Sequence, residues 1–249
     1  MGKFYYASRA GYDHRCLKQP NCDRIASSSV FTNGFKYQSV SMSDGAGASK
    51  EVSNGAFIGS KTGAYTGLKV VSLMSRQRKD STGPNLELAS SLFQKIYFRK
   101  RGLNNLVNHT NITIVETLSS LFVFQCGDGG VIYKKDDQWS IACKPAKGSY
   151  ANETKFMRPT KGKLLICSFL VEKSKVQGLI FFSDGLEPHF LTESHQTGIE
   201  INSSFSNFTF DYISNAKPLS AFRSMNLLLR NSDIDSLSAD DKTLGAWIR

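Results

Sequence analysis

Nothing in this chain of 249 residues approaches the roughly 18 consecutive apolar residues of a membrane-spanning helix, so no transmembrane segment is expected. The opening Met1-Gly2-Lys3-Phe4-Tyr5-Tyr6 lacks the apolar core of a signal peptide, and Tyr6 stands where a myristoylation site needs Ser or Thr. Cysteine is scarce. Cys16, Cys22, Cys126, Cys143 and Cys167 are odd in number and form no C-x-x-C, which argues against a disulfide scaffold or zinc ribbon and for a reducing cytoplasm. His14, His109, His189 and His195 offer no H-E-x-x-H or other close ligand spacing. There is no G-x-x-x-x-G-K-[ST]. In Gly45-Ala46-Gly47-Ala48-Ser49-Lys50, lysine stands where a dinucleotide fingerprint needs its third glycine, so kinase and dehydrogenase readings lose their motifs. No Pro- or Ser-rich linker and no repeat of fixed period divides the chain, and one domain over residues 1–249 is expected.

Hydrophobic residues make up 40% of the chain, enough for a sizeable core, and the formal net charge is +10. A basic surface attracts phosphate-rich partners of any kind. The densest cluster, Arg99-Lys100-Arg101, closes a helical pattern in which Leu88, Leu92, Phe93, Ile96 and Tyr97 recur at three- and four-residue steps. Cations there complement the helix dipole. No zinc-finger spacing or aromatic RNA-binding signature accompanies them, so nucleic acid is not an expected partner.

Apolar or alternating patterns predict strands over Phe35 to Met42, Ile112 to Glu116, Leu121 to Cys126, Val131 to Lys135, Trp139 to Lys144, Lys163 to Val171, Gly178 to Phe182 and Leu244 to Ile248. Asp136-Asp137 is expected to turn a hairpin. Helical spacing covers roughly Glu51 to Tyr65, Asn85 to Arg101 and Pro218 to Arg230. Runs of strands broken by few helices predict a mixed α+β fold and argue against a doubly wound parallel sheet.

Against this background stand four short turns rich in Asp and Gly: Ser43-Asp44-Gly45-Ala46-Gly47, Gly127-Asp128-Gly129-Gly130, Ser183-Asp184-Gly185 and Asp240-Asp241-Lys242-Thr243. Three follow a strand-like stretch and the fourth precedes one. Read singly, each is an ordinary turn whose Asp bonds its own backbone. Read together, they place carboxylates at the rim of a sheet, where hard cations such as Mg²⁺ and Mn²⁺ find oxygen ligands and a carboxylate can bridge two of them.

The order and wording of these turns resemble the metal-dependent protein phosphatases of the 2C type (the PPM family), especially the compact bacterial branch. Lys18-Gln19-Pro20-Asn21-Cys22-Asp23 is similar to the family's first acidic motif, and Asp44-Gly45-Ala46-Gly47 to the second. Cys126-Gly127-Asp128-Gly129 with Val131-Ile132-Tyr133 resembles the central motif, and Gly148-Ser149-Tyr150-Ala151-Asn152-Glu153-Thr154 the segment after it. Phe182-Ser183-Asp184-Gly185 and Ala239-Asp240-Asp241-Lys242-Thr243 resemble the last two. The resemblance implies a four-layer αββα sandwich, two antiparallel sheets flanked by helices, with metals at one edge between the sheets. It implies two Mn²⁺ or Mg²⁺ ions on Asp44, Asp184 and Asp240, with the Gly45 carbonyl as a further ligand, Asp23 acting through water, and Asp128 able to complete a third site. Asp241 would support these ligands from behind. A metal-activated water would then hydrolyse phosphoserine or phosphothreonine in a protein partner of some Ser/Thr kinase. The chain is expected to act as a monomer.

No cysteine here has the Arg six residues later that a cysteine-dependent phosphatase needs. Ala46 stands where many eukaryotic relatives carry a histidine that serves as general acid, so that role falls to His14 or to water. Among the cations before Asp23, His14 and Arg15 are the candidates to hold the substrate phosphate, with Arg9 and Lys18 in reserve. The stretch from Pro145 to Lys161 is short for the flap of many relatives, which predicts an open groove. The alternative reading is a weak or inactive phosphoprotein-binding regulator on the same fold. Retention of every core carboxylate argues against it, because clustered like charges repel without a cation.

Overall fold

Period-two alternation of apolar residues sends each strand's side chains into two different cores. In β5 (Ser120–Cys126), Leu121 and Val123 belong to one buried cluster, and Phe122 and Phe124 to another. In β9 (Gly178–Phe182), Leu179 and Phe181 join the first cluster while Ile180 and Phe182 join a third. Strands buried on both faces need cover on both faces. The computed structural model describes residues 2–32, 34–77, 85–99, 108–146, 154–157, 166–194 and 198–249. Lys100, Arg101, His195, the start of the strand expected from Lys163 and most of the stretch from Pro145 to Lys161 lie outside them.

The chain folds into two five-stranded antiparallel sheets. One has the order β1 (Lys3–Arg9), β12 (Lys242–Ile248), β9, β6 (Gly130–Lys135), β7 (Gln138–Cys143). The other runs β2 (Asp23–Thr32), β3 (Phe35–Asp44), β4 (Asn111–Glu116), β5, β8 (Cys167–Glu172). Val40, Ile112, Ile114, Leu121, Phe181 and Trp247 fill the space between the sheets. Helices α2 (Lys50–Gln77) and α3 (Leu86–Arg99) cover the second sheet over Phe93, Tyr97 and Phe124. Helices α5 (Ser203–Ser214) and α6 (Pro218–Leu228) cover the first over Ile180, Phe210 and Met225. This is the expected αββα sandwich. Short helices α1 (Tyr12–Cys16), α4 (Glu187–Phe190) and α7 (Ser232–Leu237), with the hairpin β10 (Leu191–Ser194) and β11 (Gly198–Ile201), complete the described fold.

Helix α2 extends well beyond the expected Tyr65. It lies close to its sheet because Gly63 faces small polar residues of β3 and β4, and Gly59 faces Ser43 and the His109 ring. A Cβ at Gly63 would meet Asn111 Nδ2 at 2.6 Å and Thr113 Oγ1 at 2.8 Å. Beneath it Thr113 donates to Ser41 Oγ at 2.8 Å and Asn111 Nδ2 donates to Ser41 and Ser43 at 3.0 and 3.1 Å, so this polar layer satisfies itself. Asp136 and Asp137 both take positive φ, +50° and +60°, and turn the β6–β7 hairpin as expected.

The cysteine reading needs a correction. Cys143, at the end of β7, and Cys167, at the start of β8, form a disulfide that ties one sheet to the other. Their spacing carries no signature, since only the stacking of the sheets brings these strand ends together. Cys16, Cys22 and Cys126 are free.

Candidate metal centre

Every acidic turn singled out in the sequence lies at a strand end. Asp23 opens β2 and Asp44 closes β3, and the two are direct partners in the antiparallel register. Three backbone bonds pin the Asp44-Gly45-Ala46 turn: Thr110 N–H to the Asp44 carbonyl at 2.8 Å, Gly45 N–H to the Cys22 carbonyl at 3.2 Å and Ala46 N–H to the Asn108 carbonyl at 3.0 Å. Gly45 also bridges His109. A side chain at Gly45 would collide with Val52 of α2, whose Cγ1 would lie 2.6 Å from its Cβ. Asp128 sits in the β5–β6 turn between Gly127 and Gly129, both left-handed at φ +102° and +75°, a conformation that favours glycine. Asp184 follows β9, and its Oδ1 accepts from the Gly185 amide at 2.7 Å. Asp240 precedes β12 and accepts from the Asp241 amide at 2.8 Å.

The structure brings Asp44, Asp128 and Asp184 together, with a carboxylate oxygen of each within 4.8 Å of the others. Asp240 is exposed at the rim of the same cluster, and its charge raises the pKa of Asp23, Asp44 and Asp184. Asp23 lies beneath at 1% exposure, and among the described residues neither of its carboxylate oxygens has a hydrogen-bond partner within ordinary geometry. Burial first, then the charges of Asp241 and Asp240, push its pKa up to about 7 against the opposing pull of the Ser183 hydroxyl and Asp44. Burial also raises Asp44 well above the carboxylate range, with Asp23 and Asp184 adding to it, and raises Asp184, with Asp128 and Asp240 adding to it. Several carboxylates cannot all ionise at this spacing without a cation. An all-oxygen donor set around an unpaired buried carboxylate suits Mg²⁺ or Mn²⁺.

Asp241 is buried behind this cluster at 2% exposure. Its Oδ1 accepts from the Gly11 amide at 2.7 Å and lies 2.8 Å from His14 Nδ1, while its Oδ2 accepts from the Cys22 amide. One carboxylate therefore fastens the segment before β2 to the start of β12. Arg15 is engaged inside the protein: Nη1 donates to the Ala10 carbonyl at 2.6 Å and Nη2 to Asp235 at 2.6 Å. Three further contributors lie inside the motifs quoted from the sequence, where nothing singled them out as site residues. Thr154 donates to Asp128. The Thr243 amide donates to the Ser183 hydroxyl at 2.9 Å and thereby joins the β9 turn to β12. Lys242, buried at 1%, donates to the carbonyls of Ser238 and Asp240 at 2.7 and 2.9 Å and pairs with Asp235 at 3.2 Å. A lysine beside two aspartates reads as a solvated charge until β12 draws it inward.

A family model described as protein phosphatase 2C matches residues 10–230. Comparison with curated protein sequences gives no match. Among solved structures, the chain is similar to the serine/threonine phosphatase Stp1 from Staphylococcus aureus, at 15% identity and TM-score 0.59, over 100% of this chain and 95% of that one. It is similar to serine-threonine phosphatase 2C from Toxoplasma gondii at 11% identity and TM-score 0.65, over 99% and 94%. The catalytic domain of the serine threonine protein phosphatase PstP, solved in complex with two manganese ions, matches at 10% identity and TM-score 0.52, over 99% and 97%. At such identities the structural likeness carries the fold alone. The family model spans most of the chain, and by that match the chain belongs to the protein phosphatase 2C family.

Proposed function

We propose that the protein is a metal-dependent serine/threonine phosphatase that removes phosphate from phosphoserine or phosphothreonine in protein substrates phosphorylated by a Ser/Thr kinase. The observation that carries this reading is the convergence of Asp44, Asp128 and Asp184 at one sheet edge. Asp44, Asp184 and Asp240, with the Gly45 carbonyl and with Asp23 through water, would hold two Mn²⁺ or Mg²⁺ ions, and Asp128 opens a third position. Bound there, the ions would supply an activated water nucleophile and offset charge on the phosphoryl oxygens.

The chain's own residues set the geometry. The Gly185 amide fixes the rotamer of Asp184, the Asp44 turn is held by Thr110, and Asp241 holds the backbone beside Asp23 through the Cys22 amide. With Nδ1 directed at Asp241, His14 has its Nε2 edge left, and protonated on both nitrogens it would donate from Nε2–H to a phosphoryl oxygen. Both terminal nitrogens of Arg15 are already bonded, which makes His14 the better clamp of the pair and leaves Lys18 as its alternative. His14→Ala is expected to raise KM for a phosphopeptide several-fold with Mn²⁺ affinity unchanged, as steady-state kinetics and calorimetry would read it. The reading as a whole is tested by supplying the protein with Mn²⁺ and a phosphothreonine peptide. Release of inorganic phosphate supports it. Peptide binding without release selects the regulator instead.

A further inference from the structure

Cys22 takes no part in the chemistry proposed above, yet it is buried at 2% exposure immediately before Asp23. Its Sγ, an imidazole nitrogen of His14 and a carboxylate oxygen of Asp241 all lie within 4.8 Å of one another. Three separate segments supply them: α1, the approach to β2 and the start of β12. Asp241 already binds the amides of Gly11 and Cys22, so the backbone carrying the other two groups is fastened to it before any ligand arrives. We propose that His14, Cys22 and Asp241 form a mononuclear site for Zn²⁺, separate from the acidic cluster.

The donor set decides the ion. One thiolate, one imidazole and one carboxylate match the nitrogen, sulfur and oxygen ligands that Zn²⁺ takes, whereas Mg²⁺ and Mn²⁺ favour the all-oxygen cluster of Asp44, Asp128 and Asp184. Usual zinc bond lengths put neighbouring ligand atoms about 3.3 to 3.6 Å apart in a tetrahedron. His14 Nδ1 and Asp241 Oδ1 are 2.8 Å apart, so the pair opens by roughly half an ångström, a side-chain adjustment. On binding, the Cys22 thiol proton leaves to solvent. The Nδ1 proton of the imidazole is also lost from that nitrogen, Nε2 carries the remaining proton, and Nδ1 becomes the ligand. A water fills the fourth position. Because Cys22 adjoins Asp23 and Asp241 adjoins Asp240, the site shares its backbone with the acidic cluster while preferring a different metal.

The test uses the full chain carrying Cys16→Ser, which removes an exposed competing thiol, saturated with Mn²⁺ and then titrated with Co²⁺ as the optical stand-in for Zn²⁺. The expected result is an intense thiolate-to-cobalt absorption that saturates at one equivalent, is abolished by added Zn²⁺ and is absent when Cys22→Ser is added. No absorption at all, or the same absorption in the Cys22→Ser protein, overturns the proposal. Should Cys22→Ser fail to fold, X-ray absorption at the zinc edge on the Cys16→Ser protein decides: one sulfur and an imidazole around the ion support the site, and a shell without sulfur rejects it. Neither readout uses phosphate release, so failure here leaves the acidic cluster untouched.

Discussion

At Asp44 the charges of Asp23, Asp184, Asp128 and Asp240 converge on a carboxylate that burial already disfavours. The same side chain is the one proposed to serve both ions, so its two roles separate experimentally. Asp44→Asn keeps the size of the side chain and removes its charge. With Mn²⁺ present, phosphate release should fall by at least about 100-fold, as loss of a group stabilising the transition state usually costs. In EDTA the same variant should melt higher than the wild type, because a buried repulsion has been removed. A variant that keeps wild-type Mn²⁺ affinity by calorimetry would show Asp44 to be wrongly placed. Asp240 and Asp241 show how far neighbouring residues of one type can diverge. Asp240 faces solvent at the rim while Asp241 is buried, accepting two amides, and the sequence alone separates them only through resemblance to a family.

Helix α2 sets the distance between its layer and the acidic edge, since Val52 packs against Gly45 and Gly63 against Ser41 and Asn111. Gly63→Val should therefore destabilise the fold by about 1 to 3 kcal/mol, the usual range for overpacking, as read from the midpoint of urea unfolding. An unchanged midpoint would mean that the helix does not rest on this polar layer. Legibility followed burial pattern. The eight expected strands carry apolar or alternating residues, and each coincides with an observed strand, apart from the start of the one from Lys163, outside the described residues. Strand β2 went unread because Ser27-Ser28-Ser29 offers no hydrophobic face on an edge strand. Strand β1 hides in an aromatic N-terminal stretch, and α2 outran its expected end because Gly63 and Gly67 weaken a helical reading that tertiary contact restores. Three of the acidic turns were legible because carboxylate and glycine sit side by side, and the one at Asp240-Asp241 through its resemblance to a family motif. The braces behind them were not, because Asp241 meets Gly11 across 230 residues and Arg15 meets Asp235 across 220.

For the whole molecule, the folded pKa of Asp23 rises from its ordinary 3.8 to about 7, and Asp44 and Asp184 move the same way. A raised carboxylate contributes stability that is fully present below pH 4 and is lost as pH climbs through the folded value. In EDTA, unfolding free energy from these groups should therefore fall between about pH 4 and pH 7, with Asp23 alone contributing on the order of 4 kcal/mol. With Mn²⁺ the trend should reverse, since deprotonated carboxylates bind the ion. Urea titrations across that window, with and without Mn²⁺, check both slopes, and equal slopes would detach metal from the cluster. No described helix is long and apolar enough to cross a membrane. The central claim is met most directly by returning Mn²⁺ to EDTA-treated protein while following phosphate release from a phosphothreonine peptide and the melting temperature on the same sample. The account predicts no release before Mn²⁺ is added, then activity and melting temperature rising together over one range of ion concentration. Full phosphate release while EDTA is still in excess would contradict it.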